Sequence, residues 1–202
     1  MNVIWAACVA LVTILPAEER AGPFRFSEDQ AKNVDRYVPD LSDPDHKVRE
    51  NAVEHVIEEG DTAGIPYLIK ALQDPNEGVR MHVAERLGLK SYPAQQVIPL
   101  LCTALKDEYC DVRALAAMSL EAYGPEAKAA VPNLLHSLKD DQYEVRATAA
   151  GALGEIGDSA AIPLLIQELQ DQHQLVRWVS ALRRSASLPR EPGWPSPPYC
   201  GL

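Results

Sequence analysis

Aromatic side chains make up only 6% of this 202-residue sequence, with two Phe among them. A core here has to be filled by aliphatic side chains. No Gly-rich phosphate loop, G-x-S-x-G turn or His-Glu-x-x-His is present, so the local signatures of phosphate cradling, serine hydrolysis and helix-borne zinc hydrolysis are all missing. The four Cys include no C-x-x-C and no paired metal spacing. Positive charge is also scarce, with 19 Lys and Arg against 29 Asp and Glu and a net charge of −10. A nucleic-acid-binding surface needs a stripe of Lys and Arg to displace counterions, and none is visible. Arg183, Arg184 and Arg190 form only a local basic patch, of the kind that suits a helix C-terminus. Paired acids such as Glu58 and Glu59 read as ordinary helix-end charge.

What the sequence has in abundance is one spacing. Five times an Asp stands six residues before an Arg that follows a Val: Asp43 to Arg49, Asp74 to Arg80, Asp107 to Arg113, Asp140 to Arg146 and Asp171 to Arg177. The Arg residues lie 31, 33, 33 and 31 positions apart, a period that marks stacked supersecondary units.

Each unit reads as helix, tight turn, helix. Before the Asp comes an apolar run opened by a branched residue and Pro, as in Ile65-Pro66, Ile98-Pro99, Val131-Pro132 and Ile162-Pro163. Pro suits the first helical residue, where its missing N–H would have no partner. After each Val-Arg the apolar positions recur at helical spacing: Val79, Val83, Ala84, Leu87; Val112, Ala116, Ala117, Leu120; Val145, Ala149, Ala150, Leu153. Gly88, Gly124, Gly154 and Gly157 fall where these second helices are expected to end in left-handed caps. The first unit is less regular. Ser27 to Gln30 has capping-box spacing and Val34, Tyr37, Val38 and Leu41 form an apolar face, but Pro39 lies inside it, so a shortened or kinked helix is expected. The fifth unit has Arg184 where its predecessors place Leu, as a polar terminal repeat would.

The I-P-x-L-[IL] opening, the D-x4-V-R turn and the A-A-x-x-L-G close, fullest in Asp140 to Gly154 and Asp74 to Gly88, resemble the HEAT-repeat family. The closer likeness is to its short phycobilisome-lyase-like class. The resemblance implies an all-α, right-handed α-solenoid of about five HEAT-like helical hairpins. It covers residues 27–188, with units near 27–60, 61–92, 93–125, 126–158 and 159–188.

The flanks are different material. Residues 1–17 have the length and apolarity of an export signal or N-terminal anchor. Against this, no Lys or Arg precedes the apolar stretch, and cleavage after Ala17 would put Leu15 where a small residue is preferred. The alternative is an apolar helix packed on the first repeat, so the location is exported or membrane-anchored in one reading and cytoplasmic in the other. Residues 18–26 read as a linker. Residues 189–202 hold too much Pro for a helix or central strand and are expected to form a mobile or polyproline-like tail. Cys110 and Cys200 are the pair open to a disulfide after export, with free thiols the simpler reading.

Because equivalent residues align when units stack, the five Asp and five Arg are expected to form a structural ladder, Asp capping the next helix and Arg reaching the Asp of its own or the next unit. The resemblance places the functional face on the second helices, which line the concave side of HEAT arrays. The first, second, fifth and sixth residues after each Arg are expected to point away from the core. They run from Glu50, Asn51, Glu54 and His55 and Met81, His82, Glu85 and Arg86, through Ala114, Leu115, Met118 and Ser119 and Ala147, Thr148, Gly151 and Ala152, to Trp178, Val179, Leu182 and Arg183. Along that series the inner surface changes from charged to apolar. Leu115, Met118, Trp178, Val179 and Leu182 are the candidate partner-binding residues, Trp and Met being favoured anchors.

Three function classes follow: a non-catalytic scaffold for a protein partner, a bilin lyase or chaperone of the name-giving class, and a metal-dependent oxidoreductase. The last would resemble deoxyhypusine hydroxylases, which place His-Glu pairs directly after the repeat Arg to bind iron. Here those places hold Glu50-Asn51, Met81-His82, Ala114-Leu115, Ala147-Thr148 and Trp178-Val179, so the frame contains no such pair. No catalytic residue, metal ligand or cofactor is assigned.

Overall fold

The computed structural model describes residues 34–89 and 92–187. The candidate export segment, the linker, the capping box at Ser27, Cys8, Cys200 and the Pro-rich segment lie outside the described residues. The described chain is helical throughout: α1 (His46–Gly60), α2 (Ile65–Ala71), α3 (Glu77–Leu89), α4 (Ala94–Ala104), α5 (Cys110–Tyr123), α6 (Val131–Ser137), α7 (Tyr143–Ile156), α8 (Ile162–Gln167) and α9 (Gln174–Ser187). Among the described residues, no helix is long and apolar enough to cross a membrane.

The odd-numbered helices are the second helices of their units, and each packs against the next: α1 on α3, α3 on α5, α5 on α7, α7 on α9. The even-numbered first helices pack on the second helix of their own unit, as α4 does on α5 and α6 on α7. This is an α-solenoid, in which each unit buries its apolar face against its neighbours. Val79, Val112, Val145 and Val176, each just before a repeat Arg, are fully buried, as are Leu87, Leu120 and Leu153 further along the same helices. Leu68, Leu101, Leu134 and Leu165 meet them from the first helices. Each buried Leu contributes about 1.5–3 kcal/mol of transfer free energy.

Three first helices begin as the Pro rule predicts, with Pro in the first turn of α2, α6 and α8. A 3-10 segment precedes each: Asp61–Gly64, Gly124–Ala130 and Ser159–Ala161. Helix α4 departs from that expectation, because it starts at Ala94 and carries Pro99 in its interior. The residues ahead of Pro99 are Ala94, Gln95 and Gln96, good helix formers. At the same distance ahead of the Pro the other units hold Asp61-Thr62-Ala63, Ala127-Lys128-Ala129 and Asp158-Ser159-Ala160, and the chain there, from Ser159 onward in the last case, is 3-10 in place of α-helix.

The glycine expectations divide. Gly157 ends α7 at φ 70°, ψ 23°, a left-handed cap, and Gly124 ends α5 at φ 50°, ψ −130°. Gly88 and Gly154 instead lie within their helices. At Gly88 the constraint is space: a Cβ there would sit 2.4 Å from Ser119 Oγ and 2.7 Å from Ser119 Cα on the next unit. Val34 and Asp35 are helical, residues 36–39 form turns and Asp40–Ser42 is a 3-10 helix, with Tyr37 N–H donating to Val34 O at 2.9 Å and Asp40 N–H to Tyr37 O at 3.1 Å. The α-helical turn thus ends ahead of Pro39, which opens the 3-10 helix, while Tyr37, Val38 and Leu41 pack on the core.

Candidate functional site

The ladder forms, and each Arg reaches in two directions. Arg49 donates through Nε and Nη2 to Asp74 Oδ2 and Oδ1 of the next unit at 2.7 and 2.8 Å, and through Nη1 to the Asp43 carbonyl of its own turn at 2.7 Å. The same bidentate pairing joins Arg80 to Asp107, Arg113 to Asp140 and Arg146 to Asp171. Planar forks of this kind are strong, charge-assisted hydrogen bonds. The Asp does not cap the first turn of the following helix. It accepts the backbone N–H two residues on, as Asp107 does from Tyr109 and Asp140 from Gln142, both at 2.9–3.0 Å. That closes an Asx turn, since the helix itself starts three residues after the Asp.

Charge follows from this geometry. Burial disfavours ionisation of Asp74 and Asp140, but the Arg fork and the Asx-turn N–H outweigh it, and both carboxyls lie below their ordinary pKa. For Asp171 the bond from Arg146 is itself the largest influence, again downward. The guanidinium and carboxylate of each rung are consumed by each other, which is what a structural seam requires.

The second helices present a different surface, and it corrects the four-position rule. The sixth position faces the preceding helix: Ser119 is buried with its hydroxyl donating to the Ala84 carbonyl at 2.6 Å, and Ala152 is fully buried. In unit four Ala147 and Gly151 are also buried, and a Cβ on Gly151 would sit 2.8 Å from Glu121 Oε2. Small side chains let α7 sit deep among its neighbours, so this stretch offers little to a partner.

The polar end is internally engaged as well. Glu54 accepts from Arg86 Nε at 2.6 Å and lies 3.0 Å from His82 Nε2, both on the next helix. Asn51, His55 and Glu85 remain exposed. Among the described residues, no group of three His, Cys, Asp or Glu is gathered so as to share a metal ion. Cys102 is half-buried, its thiol pKa pushed up by burial, and Cys110 is a free thiol.

The candidate partner residues separate into two sets. Met118 is 52% exposed, Trp178 60% and Leu182 46%. Leu115 and Val179 are half-buried and pack against the core. The exposed surface of the second helices therefore changes from Asn51, His55 and Glu85 to Met118, Trp178 and Leu182 along the array.

The profile described as HEAT repeats matches residues 35–121 and again 98–183. The chain belongs to the HEAT-repeat family. By sequence, no curated protein matches it. Among solved structures, it is similar to the complex of CpcE and CpcF of phycocyanin lyase from Nostoc sp. PCC7120, at 23% identity over 86% of this chain and 68% of that one, with a TM-score of 0.59. A designed armadillo repeat protein in complex with the peptide (KR)4 is similar at 18% identity over 80% of this chain and 87% of that one, TM-score 0.59. An engineered protein matches at 20% identity over 93% of this chain and 97% of that one, TM-score 0.58. At these identities the likeness establishes the fold alone.

One exposed residue of the fifth HEAT unit was missed in the sequence. Leu175, 41% exposed, shares a face of α9 with Trp178 and Leu182 by the i, i+3, i+7 rule. Its signal was available: two places before the repeat Arg, the other HEAT units carry Lys47, Gly78, Asp111 and Glu144.

Proposed function

We propose that this HEAT-repeat protein is a scaffold that binds a protein partner on the apolar part of its second-helix surface, through Met118, Trp178 and Leu182 with Leu115 and Val179 as their half-buried support, and carries out no chemistry of its own. The observation behind this reading is Trp178, exposed in the last HEAT unit beside exposed Leu182 and Leu175. Large apolar side chains clustered on one face of a soluble array are a recognised mark of a contact site, and Trp is the commonest strong anchor. The test is affinity capture from a native extract with wild type and a Trp178→Ala, Leu182→Ala double variant. Loss of one specific partner from the variant supports the reading. Equal capture by both would move the site to the charged first two units.

A second reading, a bilin lyase or chaperone, is favoured by one observation: structural similarity to the CpcE and CpcF complex of phycocyanin lyase. An exposed surface that grades from polar to apolar suits a tetrapyrrole with acidic side chains. Coexpression with a bilin decides between them, because copurified visible absorbance supports the lyase-like reading and a colourless protein that still captures its partner supports the scaffold.

A further inference from the structure

We propose that the last unit of the array, at Arg177, Trp178 and Leu182, docks the first unit of a second copy of this chain, with Asp43 of that copy closing a fifth rung of the ladder. The inference rests on the reading of the α9 face as a contact surface and names its partner.

The internal rungs define what the end lacks. Arg49, Arg80, Arg113 and Arg146 each hold the Asp of the next unit in a bidentate pair. Arg177 is anchored like its predecessors, Nη1 donating to the Asp171 carbonyl at 2.8 Å and the Gln172 carbonyl at 3.0 Å. It is exposed, and its Nε and Nη2 meet no carboxylate among the described residues. Among the described residues, Asp171 is the last Asp. At the other end, Asp43 already forms its Asx turn with the Asp45 N–H at 2.8 Å, and no Val-Arg pair precedes Val48-Arg49. The two unmatched halves are complementary in charge and in preset geometry.

The apolar residues fall on the same edge. A Cβ on Gly78 would sit 2.6 Å from Glu50, and Glu54 bonds His82 and Arg86. The first and fifth residues after a repeat Arg therefore reach the following unit, and in unit five these are Trp178 and Leu182. By the same frame, Trp178 would lie over Lys47 of the second copy, a favourable cation and ring pairing, and Leu182 beside Asn51 and His55. Such head-to-tail contact is heterologous, so association extends beyond a dimer into rings or chains.

Sedimentation of the full chain over a concentration series, at low and high salt, tests this. Wild type is expected to gain mass with concentration, more strongly at low salt. Arg177→Glu and Asp43→Arg should each weaken association about tenfold or more, and an equimolar mixture of these two variants should recover it. Asp43→Asn keeps the turn acceptor and removes the charge, so weakened association with an unchanged melting temperature excludes misfolding as the cause. A wild type that stays monomeric, or association indifferent to both reversals, overturns the proposal. If the protein is monomeric yet captures a partner through Trp178 and Leu182, self-docking fails while the scaffold reading stands.

Discussion

Arg80 holds Asp107 of the next unit with two hydrogen bonds of 2.8 and 3.0 Å while its third nitrogen grips the Asp74 carbonyl of its own turn at 2.7 Å. Only 5% of Arg80 is exposed, so one guanidinium ties two successive turns together away from water. Arg80→Ala leaves the Asp107 carboxylate in a shielded place with its main counter-charge gone. The expected loss is about 3 kcal/mol in urea denaturation. Arg80→Lys is expected to recover only part of it, because an ammonium cannot reproduce the fork.

Acid should loosen the same seam. The Asp74, Asp140 and Asp171 carboxyls lie below their ordinary pKa in the folded chain, so the unfolded chain takes up protons first as pH falls. Their stabilisation is fully present above about pH 4 and is lost as pH drops through the folded values. Melting temperature should be insensitive to these groups from neutral pH to about pH 5 and fall below about pH 4, with a shallower fall in Asp140→Asn. An equal acid slope in that variant would show that the ladder is not the source.

Two glycines are expected to resist substitution for different reasons. Gly88→Ala drives a methyl into the Ser119 backbone of the neighbouring helix, an overpacking cost of about 1–3 kcal/mol. Ser119→Ala should not relieve it, since Ser119 Cα is itself 2.7 Å away. Gly157 has nothing within 4 Å of a Cβ. Gly157→Ala therefore carries only the left-handed backbone penalty of about 1–2 kcal/mol, and Gly157→Asn should cost less. A double-mutant cycle separates the packing case from the conformational one.

Ser180 is fully buried, and its hydroxyl has no hydrogen-bond partner among the described residues. It occupies the place that units one to four give to Ala52, Val83, Ala116 and Ala149. Ser180→Ala should raise stability by about 1 kcal/mol, because it removes a desolvated hydroxyl and adds no volume. A destabilised variant in thermal melts would mean that the hydroxyl does make a bond.

The regular period of Val, Ala and Leu fixed the fold in the sequence, because a helix that cannot bury its face alone must stack, and identical spacing forces identical stacking. The ladder was legible for a related reason: residues equivalent in the period become neighbours in space. The packing role of Gly88 and the burial of Ala147 and Gly151 were not legible. Each depends on how closely one helix approaches the next, and that distance comes from side-chain volumes on two units at once.

The sequence alone therefore determined which residues are equivalent, five units with Asp and Arg in register, since periodicity is a property of one chain read in one dimension. Only the tertiary structure decided which equivalent positions see water. Trp178 and Ala147 hold the same place in the repeat, yet Trp178 is exposed and Ala147 is 4% exposed. Burial depends on the helices packed on either side: α7 lies between α5 and α9, whereas α9 packs against α7.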